Sequence, residues 1–176
     1  ASLMALSNAS LDPGAAPGCG TGGFLAQSFE HITGKLGNDA TAEQFETLKQ
    51  RTFWGREKEN LIYPIALANL VLHQIDEPHL WHGNTLTGAE TYGGLFDGAP
   101  ALYDVVLMNP PFGGKEGKEA QTGFAYKTGA TQLLFLQHVI DLIGGRANFH
   151  LRIHQPRRPH QLLDHLAGML FLVSGG

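Results

Sequence analysis

The chain has 176 residues, of which 43% are hydrophobic, and a formal charge of -4 at pH 7. This length suits one domain with a single buried core and is too short for two ordinary domains. The negative charge argues against a DNA-binding surface made by this chain alone, because contacts with phosphates need clustered Lys and Arg. If the protein acts on DNA, other segments or subunits are therefore expected to provide the DNA-binding surface.

No stretch approaches the roughly 18 consecutive apolar residues of a membrane helix, and the first residues lack the basic flank and apolar run of a secretory signal. The single cysteine, Cys19, excludes an internal disulfide and a metal site built from several thiolates. These features predict a cytoplasmic protein with no membrane segment.

The first predicted unit is a strand over residues 8–13, a glycine-rich turn and a helix with Phe24, Leu25, Phe29 and Ile32 on its apolar face. A tight turn between a strand and a helix is a common place for a ligand. This unit is therefore a candidate ligand-binding site.

The next segment is polar and predicts a helix over 41–49. It opens with Thr41 and, three residues later, Gln44, the pattern of a capping box. A short strand is predicted over 52–57. A core-facing helix follows over 60–74, with its proline tolerable only in the first turn.

The second half continues the alternation of strands and helices. Strands are predicted over 80–84 and 103–108, the second being an apolar run typical of a buried central strand. A mobile loop is predicted over 112–128 and a helix over 131–143. This order predicts an α/β sheet of the doubly wound type.

Residues 1–150 are interpreted as one α/β core and residues 151–176 as an atypical tail, either frameshifted or disordered. The tail is rich in His, Pro and Arg, and a strand expected after Ala147 is not recognised there. A metal site is allowed by the spacing of His150, His154, His160 and His165. No ordered element is predicted to hold these histidines, so no metal is expected.

The glycine-rich turn carries Gly18, Gly20, Gly22 and Gly23 between a predicted strand and a helix. Missing side chains let a ligand approach the backbone and the helix N-terminus, which suits a nucleotide-like cofactor. Three of these glycines also match the weak pattern of dinucleotide sites, whereas no Lys-Ser/Thr follows to make a phosphate-binding P-loop. A merely tight turn is the alternative.

The end of the second predicted strand carries Glu57, where doubly wound folds often place an acid that accepts from ribose hydroxyls. It comes later than the roughly 20-residue offset of NAD sites, which favours another cofactor. The charged run Arg56-Glu57-Lys58-Glu59 supports a solvated glutamate equally well.

The strongest signal is Asn109-Pro110-Pro111-Phe112, at the end of the predicted central strand. Two prolines are costly there unless the turn must be rigid. These residues could bind an amino group on a flat ring. The Asn109 oxygen and the Pro110 carbonyl would accept its two hydrogens while Phe112 stacks on the ring. A plain strand-ending turn explains the prolines but not the whole set.

These motifs resemble those of the modification subunits of type I restriction-modification systems, which are N6-adenine DNA methylases. The glycine turn resembles their motif I, Gly55-Arg56-Glu57 their G-x-E segment, and Asn109 to Gly113 their N-P-P-F-G motif. Further segments follow in the family's order: Ala68-Asn69-Leu70, His82-Gly83-Asn84-Thr85-Leu86 and Leu134-Phe135-Leu136-Gln137-His138.

The resemblance implies a Rossmann-like S-adenosylmethionine-dependent methyltransferase fold, methylation of adenine N6 in DNA, and assembly with a specificity subunit and a restriction subunit. It implies a catalytic set made of Asn109, Pro110, Pro111 and Phe112. The implied cofactor-binding set is Gly18, Cys19, Gly20, Thr21, Gly22, Gly23, Glu57, Asn84 and Thr85.

The chain also departs from the family pattern, in which Asp-Pro directly precedes the glycine turn. Here Ala16-Pro17 stands at that position and Asp12-Pro13 lies four residues earlier. The fold is expected to be truncated at both ends. An inactive remnant that only binds partner subunits is therefore an alternative, and an NAD-dependent oxidoreductase is another, although it leaves Asn109 to Phe112 without a role.

Overall fold

The structure, a computed structural model, describes residues 14–111 and 114–144, and the backbone alone at 148–153 and 169–174. The described strands are β1 (Gly14–Ala16), β2 (Phe53–Glu57), β3 (His79–Asn84), β4 (Ala89–Tyr92), β5 (Val105–Met108), β6 (Asn148–Ile153) and β7 (Met169–Ser174). The described helices are α1 (Gly23–Leu36), α2 (Ala42–Arg51), α3 (Ile62–Leu72), α4 (Lys118–Thr122) and α5 (Thr131–Leu142). Across these residues, no helix is long and apolar enough to cross a bilayer.

The described strands form one sheet in the order β4-β3-β2-β1-β5-β7-β6. The central strands β3, β2, β1 and β5 run parallel, whereas β4, β7 and β6 pair antiparallel with their neighbours. Helices α1 and α2 connect β1 to β2, and α3 connects β2 to β3, since adjacent parallel strands need a crossover connection. The predicted α/β class with a mostly parallel central sheet is confirmed.

Helices cover both faces of this sheet. On one face α1, α2 and α3 bury an apolar cluster that includes Leu25, Leu48 and Leu70. On the other face α4 and α5 pack over Val106 and Met108 of β5. Because β5 is buried on both sides, its apolar run gave the clearest strand pattern in the chain.

The first strand lies later than predicted. The prediction for residues 8–13 falls outside the described residues, and β1 begins inside the segment interpreted as a turn. Gly14 pairs with Phe53 on one side and Val105 on the other. Small residues have little intrinsic β preference, so the sequence pattern did not indicate this strand, which its two parallel neighbours define.

The capping box at the start of α2 is confirmed. The Gln44 N–H donates to Thr41 Oγ1 at 3.2 Å, and the Thr41 N–H donates to Gln44 Oε1 at 2.9 Å. The helix predicted over 60–74 is also confirmed as α3, with Pro64 in its first turn, where its missing N–H breaks no helical hydrogen bond.

The loop predicted over 112–128 is in part ordered structure. It contains α4, and the side chains of Ala120 and Phe124 are buried in the core on the α5 face. A bridge between Lys115 and Ala130 closes its base. Two apolar anchors among many Gly and Lys residues were too sparse to show a periodic pattern, which is why α4 was not predicted.

The chain after residue 147 also differs from expectation. Residues 148–153 and 169–174 form β6 and β7, which pair with each other, and β7 pairs with β5. The prediction that no strand follows Ala147 is therefore wrong. The boundary placed at residue 150 falls within β6, and a separate tail remains a prediction.

Three of the four tail histidines considered for a metal site lie outside the described residues, and only the backbone of His150 is described.

Candidate active site

The order of the strands creates a crevice beside β1. From β1 the chain builds β2 and β3 on one side and later places β5 on the other. The loops that follow β1 and β5 diverge at this switch point, which is where doubly wound sheets bind ligands. The glycine turn follows β1 and Asn109 follows β5. The two strongest predicted motifs therefore meet at one place.

Two cavities open at this edge of the sheet. The first, of about 350 Å³, is lined by Pro17, Gly18, Gly20, Arg56, Glu57, Lys58, Glu59, Asn84, Thr85, Leu86, Asn109, Pro111, Glu116 and Phe135. The second, of about 380 Å³, is lined by Gly18, Cys19, Gly20, Thr21, Gly23, Phe24, Gln27 and Asn109. Gly18, Gly20 and Asn109 border both cavities. Each cavity is of the size that binds part or all of a small ligand.

The glycine turn has a backbone that side chains would strain. Gly20 has φ of 55° and Gly22 has φ of 78°, both in the left-handed region that favours glycine. Inside the turn the Gly22 N–H donates to the Cys19 carbonyl at 2.9 Å, and the Cys19 N–H donates to the Arg56 carbonyl at 2.8 Å. The turn is thus held against the end of β2 by main-chain hydrogen bonds.

Two side chains outside the predicted set of cofactor residues also hold or border this turn. Asn69 Nδ2 on α3 donates to the Thr21 carbonyl at 2.9 Å. Leu70, its neighbour on α3, leaves no room at Gly22, where an added Cβ would lie 3.3 Å from Leu70 Cγ. The resemblance included the segment with Asn69, but no local pattern indicated that Thr21 is its partner, because this contact arises from the packing of α3 near the glycine turn.

Glu57 is a structural part of the site. It is 8% exposed, so the alternative of a solvated glutamate is wrong. Its Oε1 accepts from the N–H groups of Lys58 and Glu59, and its Oε2 accepts from the N–H of Gly20, each at 2.9 Å. A carboxylate offers about four acceptor positions. One position, on Oε2, is left for a ligand in the first cavity.

Asn84, at the end of β3, and Thr85, in the loop that follows, line the first cavity. Asn84 Oδ1 accepts from the Leu86 N–H at 3.0 Å, which leaves the two N–H bonds of its amide for a ligand. Thr85 Oγ1 donates to the Pro17 carbonyl at 2.8 Å, so this threonine fixes the start of the glycine turn. Of Asn84 and Thr85, Asn84 is therefore the residue whose side-chain N–H groups can bind a ligand.

Asn109 directly follows the fully buried Met108 and is itself exposed. Within the part of the chain that the structure describes, no hydrogen bond to its amide is found, so the amide is available to a substrate. Pro110 is buried and lines neither cavity, whereas Pro111 lines the first. Phe112, expected to stack on the target base, lies outside the described residues.

Cys19 and Arg56 are two further groups that line the cavities. Burial raises the pKa of the Cys19 thiol to about 12, which makes it an uncharged wall of the second cavity. Arg56 lies over the Phe96 and Trp81 rings, with its Cζ 5.1 Å and 5.3 Å from the ring centres. Among the described residues, no group of three or more His, Cys, Asp or Glu side chains is placed to hold a metal ion.

The chain matches a known protein family over most of its length. The family model described as N-6 DNA Methylase matches residues 6–149. The methylase subunit of the type I restriction enzyme EcoEI from Escherichia coli is 37% identical over 136 residues, which are 74% of this chain and 26% of that subunit. The EcoKI methylase subunit from Escherichia coli strain K12 is 32% identical and covers 74% of this chain and 25% of its own length.

Solved structures of type I restriction enzymes are also similar to this chain. A chain from a structure of a type I restriction-modification system, concerned with complex assembly and conformational transition, has a TM-score of 0.63 and 35% identity, covering 74% of this chain and 25% of that chain. The M protein of the type I restriction enzyme EcoKI has a TM-score of 0.61 and 28% identity, covering 75% of this chain and 27% of its own. This chain spans about a quarter of each of these relatives. It belongs to the N-6 DNA methylase family and is similar to part of the methylase subunit of type I restriction enzymes.

Proposed function

We propose that this chain provides the cofactor pocket and the catalytic strand end of an adenine-N6 DNA methyltransferase that uses S-adenosylmethionine. One observation carries the proposal. The glycine turn, Glu57 and the exposed amide of Asn109 come from three different parallel strands and surround two adjoining cavities at the switch point of the sheet. Family membership argues against the NAD-dependent alternative.

The two cavities suit the two halves of this cofactor. Thr21, Gly23 and the N-terminus of α1 border the second cavity, where the absence of side chains admits the methionine end. In the first cavity the free position of Glu57 Oε2 would accept from a ribose hydroxyl, and the Asn84 amide lies where an adenine would be read. Asn109 borders both cavities, at the point where the two halves join.

When bound, the cofactor supplies an electrophilic methyl group on a cationic sulfur. The chain's own task is to orient the target amine, whose lone pair is delocalised into the adenine ring. The Asn109 oxygen and the Pro110 carbonyl would accept the two amine hydrogens and favour the pyramidal, nucleophilic form. The base must leave the duplex to reach Asn109, and Phe112 and Pro111 would flank it.

The partners follow from the family and from the charge of the chain. With a net charge of -4, this chain needs other protein to hold DNA. We infer a cytoplasmic assembly in which a specificity subunit selects the DNA sequence and a restriction subunit completes the system. The adenine that is methylated would be delivered by that assembly.

An inactive, partner-binding role is the second candidate, and one residue favours it. Ala16 ends β1, fully buried, where the family pattern has an aspartate directly before the glycine turn. No carboxylate stands at that position. If the lost acid is essential, the chain would keep its fold and its interfaces without binding the cofactor.

Calorimetric titration with S-adenosylmethionine tests the proposal. We expect the unaltered chain to bind it and Glu57→Ala to weaken binding about tenfold or more, because a charge-assisted hydrogen bond and the anchor of Gly20 are both lost. Glu43→Ala, on the exposed start of α2, is the matched control and should bind normally. Binding of NAD in place of S-adenosylmethionine would contradict the proposal, and binding of neither would support the partner-binding role.

Asn109→Ala separates catalysis from cofactor binding. We expect cofactor affinity to change less than threefold, since Asn109 only borders the cavities. Methylation of unmodified DNA, measured in the presence of the partner subunits, should fall about 100-fold or more, as when one oriented acceptor or donor is lost from a transition state. An unchanged rate would exclude Asn109 from the chemistry.

A further inference from the structure

Glu116 is a carboxylate of the first cavity to which the sequence assigned no role. It follows the catalytic motif by a few residues and is held from three sides. Its N–H donates to the Gly129 carbonyl at 2.9 Å, and its own carbonyl accepts from Gln121 Nε2 at 2.9 Å. Its Oε1 accepts from the hydroxyl of the buried Thr131, the first residue of α5, at 3.2 Å. The first two contacts hold the backbone of Glu116, and the hydrogen bond from Thr131 positions its carboxylate in the wall of the cavity.

Glu116 differs from the other two carboxylates of the first cavity in its partners. Glu57 is hydrogen-bonded to three backbone N–H groups, and Glu59 pairs with Lys58 at 3.7 Å. Glu116 has no cationic partner within the described residues, and its Oε2 accepts no hydrogen bond there. Arg56 lies against two aromatic rings and forms no ion pair with Glu116.

The lining therefore has three carboxylates and two cations, and Glu116 is the residue that makes its net charge negative. Asn109 lies in the same lining, at the junction of the two cavities where the sulfur of the proposed cofactor would be. An unpaired carboxylate in a cavity of about 350 Å³ acts on a charge at that junction without touching it.

We propose that Glu116 is a specificity-determining residue that makes the pocket favour the cationic sulfonium of the cofactor over the neutral thioether left after methyl transfer. This inference rests on the proposed function. A sulfonium gains Coulomb energy from the carboxylate, and a thioether does not. At the intermediate effective dielectric of a partly open site, we expect the preference to amount to roughly three- to tenfold in affinity.

The test compares two ligands that differ in the charge on sulfur. The unaltered chain and Glu116→Gln are titrated with S-adenosylmethionine and with S-adenosylhomocysteine. Glutamine keeps the size of the side chain and an oxygen for Thr131, and it removes the charge. Glu119→Gln, an exposed carboxylate on α4, is the matched control. Circular dichroism of each variant verifies the fold.

We expect Glu116→Gln to weaken S-adenosylmethionine three- to tenfold and leave S-adenosylhomocysteine unchanged, with Glu119→Gln altering neither. The difference should shrink as salt is raised. An equal loss for both ligands, or no loss for either, would overturn this inference and leave the proposed function standing. Failure of the unaltered chain to bind both ligands would overturn the proposed function and the inference with it.

Discussion

Arg56, which lines the first cavity, lies close enough to Tyr103 and to His138 for its charge to affect both side chains. Burial raises the pKa of Tyr103 to about 12, although the charge of Arg56 acts in the opposite direction. Burial lowers the pKa of His138 to about 4, and here the charge of Arg56 adds to the effect. The Tyr103 hydroxyl and His138 Nε2 are buried with no hydrogen-bond partner among the described residues. Both side chains are therefore neutral at pH 7, beside one cation.

This arrangement predicts a loss of stability in mild acid. The unfolded chain protonates His138 near its ordinary pKa of 6.5, whereas the folded chain does so only near 4. Between these values the unfolded state binds more protons, so the free energy of unfolding falls as the pH is lowered from about 6.5 to about 4. From pH 7.5 to 5 this one group should cost about 2 kcal/mol.

Urea unfolding at pH 7.5 and pH 5 measures this effect. His138→Gln should lose less stability between the two pH values than the unaltered chain, because glutamine does not titrate. His73→Gln, half-buried at the end of α3, is the comparison that keeps His138 in place. Equal pH dependence in the unaltered chain and in His138→Gln would show that His138 is not responsible.

At the scale of the element, α3 is apolar on two faces. Tyr63, Ala66 and Leu70 point into the core, whereas Ile65 and Leu72 are 50% and 82% exposed. An amphipathic helix has one apolar stripe, so the apolar sequence of α3 predicted a helix but did not indicate which side packs. That choice is made by contact with α1 and the sheet.

Two neighbouring leucines on α3 should respond differently to the same change. Leu70→Ala removes a side chain that is 1% exposed and should lower the free energy of unfolding by about 2–5 kcal/mol, since a cavity remains. Leu72→Ala removes an exposed side chain and should change it by less than about 0.5 kcal/mol. Urea midpoints of the two variants compare them directly, and similar losses would contradict the packing described for α3.

At the scale of the whole molecule, the proposed site joins elements that are far apart in the sequence. Residues after β1, β2, β3 and β5 line the first cavity. A ligand bound there contacts the folded state only, and it should stabilise the entire domain. At a concentration one hundred times its Kd, S-adenosylmethionine should add about 2.7 kcal/mol to the free energy of unfolding.

Thermal unfolding followed by circular dichroism measures this stabilisation. The melting temperature should rise with the concentration of S-adenosylmethionine, and the rise should be much smaller for Glu57→Ala at the same concentrations. Glu43→Ala should behave as the unaltered chain does. A melting temperature that is independent of S-adenosylmethionine would count against binding at this edge of the sheet.

The sequence by itself determined the alternation of strands and helices, the family, and the two motifs that border the proposed site. These features depend on neighbours along the chain: the apolar run of β5 before Asn109, the glycines before α1, and the capping box of α2. Local spacing and backbone restrictions are sufficient to reveal them.

Only the tertiary structure decided where β1 lies, that the segment after residue 113 is anchored, and that β7 pairs with β5. It also decided the roles of individual groups. The Glu57 carboxylate accepts from three backbone N–H groups, whereas Glu116, in the same cavity wall, has no cationic partner among the described residues. Such roles depend on which donors and charges meet across long stretches of chain, and no local pattern in a sequence contains that information.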